Sequence, residues 1–418
     1  MTRILRLSRR DFVPAAATAL FVLACLVMRG GLLRAERFGD VGLYSLDAHR
    51  MLDGHVPYRD FFFEYPPGAL PVIIAPALVS VAHFTFLFKA LMTVLGAATV
   101  LVASRVAAAV GLPPRRGAAA LAAMAVAPFL LGPLFIDEYD LWPTLLTVAA
   151  VLALLRGRDG LGAGLLGFGA ATKVFPAAVL PLALVWIYRR AGRRVALRAL
   201  GVAAVVAAAT YVVFVVIAPG GVWYSLHVQL RRGLQKESLG SSVLFALDKL
   251  GLYHARIDEG NAHWTELTGP AGDTLALLTS LCQVAVAFAV AAIVARRRPE
   301  PRTLLYGASV ALVGFVAFGK VFSPQYLIWL VPFVALAGGP LAGVLLGSAL
   351  VLTQLWFLRI VTPFDLDAGI WLVVLRDVLV VGVFVVMLVR LKRLDLAGPS
   401  RGPRTALRGA GSGRAEPT

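Results

Sequence analysis

Apolar runs of roughly twenty residues recur along the chain, separated by short polar turns, and this is the pattern of helices that lie in lipid. Residues 13–33, 198–218 and 274–295 are each rich in Ala, Val and Leu and nearly free of charge. A helix of that length crosses about 30 Å of hydrocarbon while satisfying its own backbone hydrogen bonds. We let each run cross once, with Arg3, Arg6, Arg9 and Arg10 on the cytoplasmic side. The basic clusters then sort themselves. The turns around Arg115, Arg156, Arg190 and Arg297, the small turn at Gly338 and the tail after Arg390 fall inside. The first loop, DEYD at 137–140, TKVFP at 172–176, the long loop, GKVFSPQ at 319–325 and TPFDLDAG at 362–369 fall outside, with nearly all the acidic residues.

This alternation predicts an all-α integral membrane fold of about twelve transmembrane helices. Three spans, 161–171, 174–187 and 326–336, are short and broken by Gly or Pro, a feature tolerated where a helix lines a protein cavity. Residues 67–82 are apolar as well, but a full crossing there would put every later arginine cluster outside. The segment is therefore placed as interfacial or re-entrant, ahead of a second span at about 84–110.

Composition sharpens the class. With 59% hydrophobic and 15% charged residues among 418, and a mean hydropathy of +0.81, the chain is far more apolar than a soluble domain with about a quarter charged residues. The net charge of +17 is scattered in short clusters between apolar runs, so it reads as a topology signal and not as a nucleic-acid surface. Cys25 and Cys282 lie inside spans without metal spacing and read as packing residues. The domain organisation expected is a cytoplasmic flank at 1–12, a polytopic membrane domain at 13–391 with outer loops at 34–83 and 219–272, and a disordered basic tail at 392–418. The flank precedes a full-length span without a cleavage site, so the first helix is read as retained. The Ala- and Arg-rich composition points to a bacterial plasma membrane, with both termini cytoplasmic.

Chemistry-bearing side chains concentrate just after the first span. Between 38 and 72 stand Asp40, Asp47, Asp53, Asp60 and Glu64 with Arg50, Arg59, His49, His55, Tyr44, Tyr58, Tyr65 and three consecutive phenylalanines. SLDAHRMLDG has helical spacing, with Leu46, His49 or Arg50, and Asp53 near one side, which suits a short helix along the membrane surface. RDFFFEYPPG supplies aromatic anchors for the lipid boundary.

The arrangement D-x-x-x-Y (Asp40, Tyr44), then G-x-x-P-Y-R-D at 54–60 and E-Y-P-P-G at 64–68, resembles the first outer loop of glycosyltransferase family 87, part of the GT-C superfamily of multi-span, lipid-linked sugar transferases. A-T-K-V-F-P at 171–176 and F-S-P-Q-Y-L-I-W at 322–329 resemble further family elements, in the same order and on the same predicted side. The resemblance implies a GT-C helical bundle. It also implies transfer of a sugar, usually mannose, from a polyprenyl-phosphate donor to an envelope glycolipid or glycan at the outer face. By position, Asp40 would be the catalytic carboxylate.

That chemistry needs a base for the acceptor hydroxyl and positive charge or donors for the leaving phosphate. Asp40 is the base in this reading, against the alternative of a simple helix cap. Tyr44, Arg59, Glu64, Lys173, Lys320, Gln325 and Tyr326 are placed at the substrate. Lys173 and Lys320 each end a broken helix on the outer side, where a lysine either grips phosphate or snorkels to water. Arg231, Arg232 and Lys236 contact an anionic group or form a solvated loop face. The DEYD spacing suits a hard cation, acceptor hydroxyls or plain solvation. Trp223, Tyr224, Trp264 and Trp329 serve as sugar platforms or interface anchors.

No metal and no cofactor beyond the lipid-linked donor is expected, and no zinc site is built by His49 and His55. Partners are the lipid-linked sugar donor, the glycolipid or glycan acceptor and membrane lipids, with no nucleic acid. The competing classes are a secondary transporter and a lipid-linked glycan flippase. A transporter would carry ionisable groups near mid-membrane, whereas here the main acid inside a span is Asp377 beside Arg376, read as a local ion pair.

Overall fold

The structure, a computed structural model, describes residues 9–258, 265–359 and 366–394. The first residues of the cytoplasmic flank, Trp264, the first half of the turn at 362–369 and the basic tail from 395 lie outside the described residues. Within them the chain is a bundle of helices, as the apolar periodicity requires. The exception to the all-α expectation is a small antiparallel sheet inside the long loop, in which Glu266–Thr268 pairs with both Leu234–Gln235 and Arg256–Asp258.

Among the described residues five helices are long and apolar enough to cross a membrane: Phe84–Ala109, Arg193–Ile217, Pro270–Ala295, Gly339–Phe357 and Gly369–Arg393. Arg193–Ile217 buries little beyond Ala199 and Ala203 while Val205, Val212, Val213 and Val216 stay exposed, as suits a helix turned toward lipid. Pro301–Ala317 and Leu327–Ala337 bury nearly every residue and form the centre of the bundle.

The interrupted segments fold as proline placement dictates. Pro176 and Pro324 sit at the first positions of short 3₁₀ turns, Phe175–Val179 and Pro324–Tyr326, which run directly into Leu180–Ala191 and Leu327–Ala337. Proline has no N–H to give, and the first turn of a helix needs none. Pro67 does the same for Pro67–Ala69, which leads into Leu70–Val79. At about 1.5 Å per residue that piece is too short to cross 30 Å of hydrocarbon. It packs on Val41–Leu52 and Phe84–Ala109, with Leu78 and Val79 exposed.

The surface helix of the first loop forms as Val41–Leu52 and buries Val41, Tyr44, Ser45 and Ala48, a helical stripe. The side carrying Leu46 and Asp53, singled out by sequence spacing, is the exposed one.

The turns predicted for each side of the membrane meet among themselves. At one end Arg302 donates to the carbonyl of Gly111 at 3.1 Å, Arg116 to the Tyr306 hydroxyl at 3.4 Å and Arg297 to the carbonyl of Lys392 at 3.0 Å, while Arg190 pairs with Asp159 at 2.5 Å. At the other end five of the predicted outer turns meet through direct hydrogen bonds.

Two buried ion pairs brace this second end. Arg376 and Asp377 pair at 2.8 Å, as expected, and also reach the long loop: Asp377 accepts from the Ser242 hydroxyl at 2.5 Å and Arg376 donates to the Glu237 carbonyl. Lys89, a cation in a span that the sequence reading passed over, is fully buried. It lies 3.3 Å from Asp137 and donates to the carbonyls of Gly30, Arg34 and Glu36 at 3.0, 3.1 and 2.7 Å.

Candidate active site

Asp40 stands at the N-terminus of Val41–Leu52, half-buried, and the DEYD turn fixes its backbone. Glu138 accepts the Asp40 N–H at 3.0 Å through one oxygen and the Tyr44 hydroxyl at 2.7 Å through the other. Asp137 accepts the Phe38 N–H at 2.8 Å. Between them Gly39 has φ +55, and a Cβ there would lie 2.0 Å from a Glu138 oxygen, so both its conformation and its close approach call for glycine. On the other side, the Tyr65 hydroxyl donates to the Asp40 carboxylate at 3.3 Å. The Tyr65 ring lies edge-on to Tyr44 and Tyr139, with centroids 5.4 and 5.3 Å away.

The third acid of the turn faces a different partner. Asp140 receives both of its Lys173 contacts at 2.8 and 2.9 Å and a hydrogen bond from the Trp329 indole. Lys173 is boxed in by rings, 4.6 Å from the centroid of Tyr139, 5.3 Å from Tyr326 and 5.4 Å from Trp329, and its side chain is 13% exposed. Tyr326, Trp329 and Phe175 stack in sequence, at 3.9 and 4.1 Å between centroids.

The motifs dock on one another. The Gly68 N–H of EYPPG donates to the Ala171 carbonyl at 2.8 Å, the Trp142 indole donates to the Gly68 carbonyl at 3.2 Å, and the Tyr139 hydroxyl donates to the Thr172 carbonyl at 3.2 Å. A Cβ on Gly68 would meet the Thr172 hydroxyl oxygen at 2.4 Å.

Burial shapes the electrostatics. It raises the Asp40 carboxyl above its ordinary range, against the nearby Lys173 charge and the Tyr65 hydrogen bond. Glu138 is raised well above its usual value by burial and by the charges of Asp40 and Asp140. Glu64 is pushed up to about 7 by burial and then by Asp40. Burial alone would lower Lys173, but the charges of Asp140 and Tyr139 hold it above the ordinary lysine value.

The structure thus brings Asp40, Tyr44, Glu64, Lys173 and Tyr326 into one cluster, with Gln325 on the same turn as Tyr326. Tyr44 is fully buried against Glu138, so its hydroxyl serves the protein and not a substrate. Arg59 does not join the cluster: its guanidinium is 52% exposed and pairs with Asp60 at 2.8 Å. Lys320 does not face Asp40 as a phosphate grip; its ammonium donates to the carbonyls of Leu230 and Arg232 at 2.7 and 2.8 Å, closing the end of Pro219–Arg231. Trp329 is buried in its stack, which removes it as a sugar platform.

Sequence reasoning missed the role of the DEYD turn. All three acids are buried with separate partners, so neither solvation nor a shared cation describes them. Among the described residues no group of three His, Cys, Asp or Glu is placed to hold a metal ion. The signal was present in the flanks, since PLFIDEYDLWP embeds the acids in aliphatic and aromatic residues. Arg232, expected either to contact an anionic group or to lie on a solvated loop face, is buried, 3.4 Å from Glu266, and its charge is felt at Asp40, Glu64 and Tyr326.

Comparison with known proteins follows from this geometry. Residues 62–324 match Glycosyltransferase family 87 in sequence. No protein of curated function matches the chain. Among solved structures, the chain is similar to the crystal structure of ArnT from Cupriavidus metallidurans bound to undecaprenyl phosphate, at 14% identity over 91% of this chain and 76% of that one, with a TM-score of 0.49.

Proposed function

Because the chain belongs to glycosyltransferase family 87 and is a membrane-embedded glycosyltransferase, we propose that it moves mannose from a polyprenyl-phosphate donor to an envelope glycolipid or glycan. In this reading the bundle is of the GT-C type, and the carboxylate-rich end faces outward across the plasma membrane, with the arginine-rich end and both termini in the cytoplasm. Family membership sets aside the transporter and flippase alternatives.

The reaction is a single inverting displacement. A lone pair of the acceptor hydroxyl oxygen forms the new bond to the anomeric carbon on the face opposite the phosphate. The bond from that carbon to the phosphate oxygen breaks, and its electron pair leaves with the polyprenyl phosphate. The hydroxyl proton passes to Asp40. One displacement needs no second carboxylate as nucleophile. Burial makes Asp40 a stronger base than a surface aspartate, while the Lys173 charge and the Tyr65 hydroxyl favour its ionised form. Lys173, with the Arg232 charge, supplies the positive field for the leaving phosphate. Glu64, Gln325 and Tyr326 are placed to meet the sugar. Lys320 holds the long loop in position.

The observation that carries this reading is the half-buried Asp40 carboxylate, held by Tyr65 at the bundle end where the Lys173 charge converges. The test is Asp40→Asn, reconstituted in liposomes with radiolabelled polyprenyl-phosphate mannose and an envelope lipid extract as acceptor. Turnover falls at least ~100-fold, the usual contribution of a general base, with donor binding retained. Normal turnover by a well-expressed Asp40→Asn protein removes the assignment.

A further inference from the structure

Glu138 is outside every motif that carries the family likeness, and both oxygens of its carboxylate are taken by the protein's own donors. One accepts from the Asp40 main chain at 3.0 Å and the other from the Tyr44 hydroxyl at 2.7 Å. The side chain is buried and comes from a different part of the chain, 98 residues from Asp40.

The two bonds define one device. The N–H of Asp40 belongs to the residue that begins Val41–Leu52, and Tyr44 lies one turn further along the same helix. A carboxylate bound at both points fixes the start of that helix in position and in rotation. Tyr44 also packs edge-on against Tyr65 at 5.4 Å, and it is the Tyr65 hydroxyl that reaches the Asp40 carboxylate at 3.3 Å. Glu138 therefore touches the base from behind through its backbone, and from the front through Tyr44 and Tyr65. The neighbouring bond from the Phe38 N–H to Asp137, and the close packing of the Glu138 carboxylate on Gly39, leave the segment little room to shift.

We infer that Glu138 is a positioning residue for sugar transfer, one that sets the aim of the Asp40 carboxylate through the Asp40 N–H and the Tyr44 hydroxyl without touching substrate. This rests on Asp40 being the base. A base misplaced by about 1 Å costs on the order of 100-fold in rate, whereas substrate affinity depends on groups that Glu138 does not contact.

The test compares Glu138→Ala, Glu138→Gln and Tyr44→Phe in liposomes with radiolabelled polyprenyl-phosphate mannose and an envelope lipid extract, beside Asp40→Asn. Glu138→Ala loses between ~10-fold and ~100-fold in kcat with KM for the donor within about twofold. Glu138→Gln keeps an acceptor for the Asp40 N–H and an amide for the Tyr44 oxygen, and recovers at least about a third of kcat. Tyr44→Phe removes one of the two bonds and loses ~3-fold to ~10-fold in kcat, again without a change in KM. Should Glu138→Ala fail to accumulate as folded protein, the Gln and Phe variants carry the comparison. The inference is overturned by full kcat in Glu138→Ala or Tyr44→Phe, by a loss confined to KM, or by a Gln variant as inactive as the Ala variant, which would make the negative charge itself essential. An active Asp40→Asn protein overturns the functional reading instead. An inactive Asp40→Asn beside a fully active Glu138→Ala overturns only the role of Glu138.

Discussion

Lys173 holds its ammonium 2.8 Å from the Asp140 carboxylate and 4.6 Å from the centre of the Tyr139 ring. The Lys173 charge is therefore already paired with a buried acid. In the proposed reaction the leaving phosphate would meet this ion pair and not a bare ammonium.

Removing Lys173 alone strands a buried charge. Lys173→Met is expected to destabilise the protein by about 3–5 kcal/mol, because Asp140 loses its counter-ion in a dry site. The double variant with Asp140→Asn regains most of that stability although both remain inactive. Thermal unfolding in detergent compares them, and equal melting temperatures for the single and double variants would show that the pair does not brace the bundle.

Stability should carry a signature of Glu64. Its carboxyl is held up to about 7 in the folded chain, against an ordinary value of 4.5, by burial and then by the Asp40 charge. The folded state therefore binds the proton more tightly than the unfolded one. Stability is unaffected below the ordinary value, falls as pH rises toward 7, and stays reduced above it. Glu64→Gln removes this loss, so the variant gains on the wild type at pH 8, by an amount on the order of 1–3 kcal/mol, and not at pH 4. A melting-temperature difference that is the same at both pH values is the contrary result.

Gly39 and Gly54 separate crowding from backbone strain. Both have positive φ, +55 and +89, but a Cβ at Gly39 would lie 2.0 Å from Glu138 while nothing stands within 4 Å of one at Gly54. Gly54→Ala is expected to cost about 1 kcal/mol with turnover within about twofold. Gly39→Ala costs more and lowers kcat at least ~10-fold, since it displaces the residue before Asp40. Similar kcat values for the two would show that the approach of Glu138 to the loop is not needed for catalysis.

Arg59 and Lys320, both placed at the substrate by sequence, should part company. Arg59→Ala breaks an exposed pair that solvent screens and leaves donor KM and kcat within about twofold. Lys320→Met strips two donors from the carbonyls of Leu230 and Arg232, at about 1–3 kcal/mol. It also makes the long loop more open to limited proteolysis. A tenfold rise in donor KM for Arg59→Ala would return that residue to the site.

The parts of this fold set by backbone chemistry were legible in the sequence. Apolar run length located the long helices, and Pro176 and Pro324 marked where the broken ones begin. The alternation of arginine clusters separated the two ends. Asp40, Tyr44, Glu64, Lys173 and Tyr326, singled out from different turns, lie in one cluster, because turns that alternate across a membrane return to the same end. What sequence spacing did not reveal was the partner of each charge. Lys320 and Lys173 look alike as single lysines at the ends of broken helices, yet one is bound by carbonyls and the other by an aspartate among rings. DEYD resembles a solvated turn until Lys89, the Asp40 N–H and Lys173 are in place around it, and these come from as far as 98 residues before to 33 after. Arg59, in a motif with Asp60, found its counter-ion next door.

Lys89 ties the order of synthesis to the appearance of the site. Its ammonium gathers carbonyls from Gly30, Arg34 and Glu36, then Asp137. The first loop leaves the ribosome with Asp40 but without this clasp, which arrives with the second long hydrophobic stretch and is completed only after the third has delivered the acidic turn. A nascent chain released between those events lacks the contacts that hold Asp40 in place, so the setting of that carboxylate is a property of the assembled bundle and not of the first loop alone.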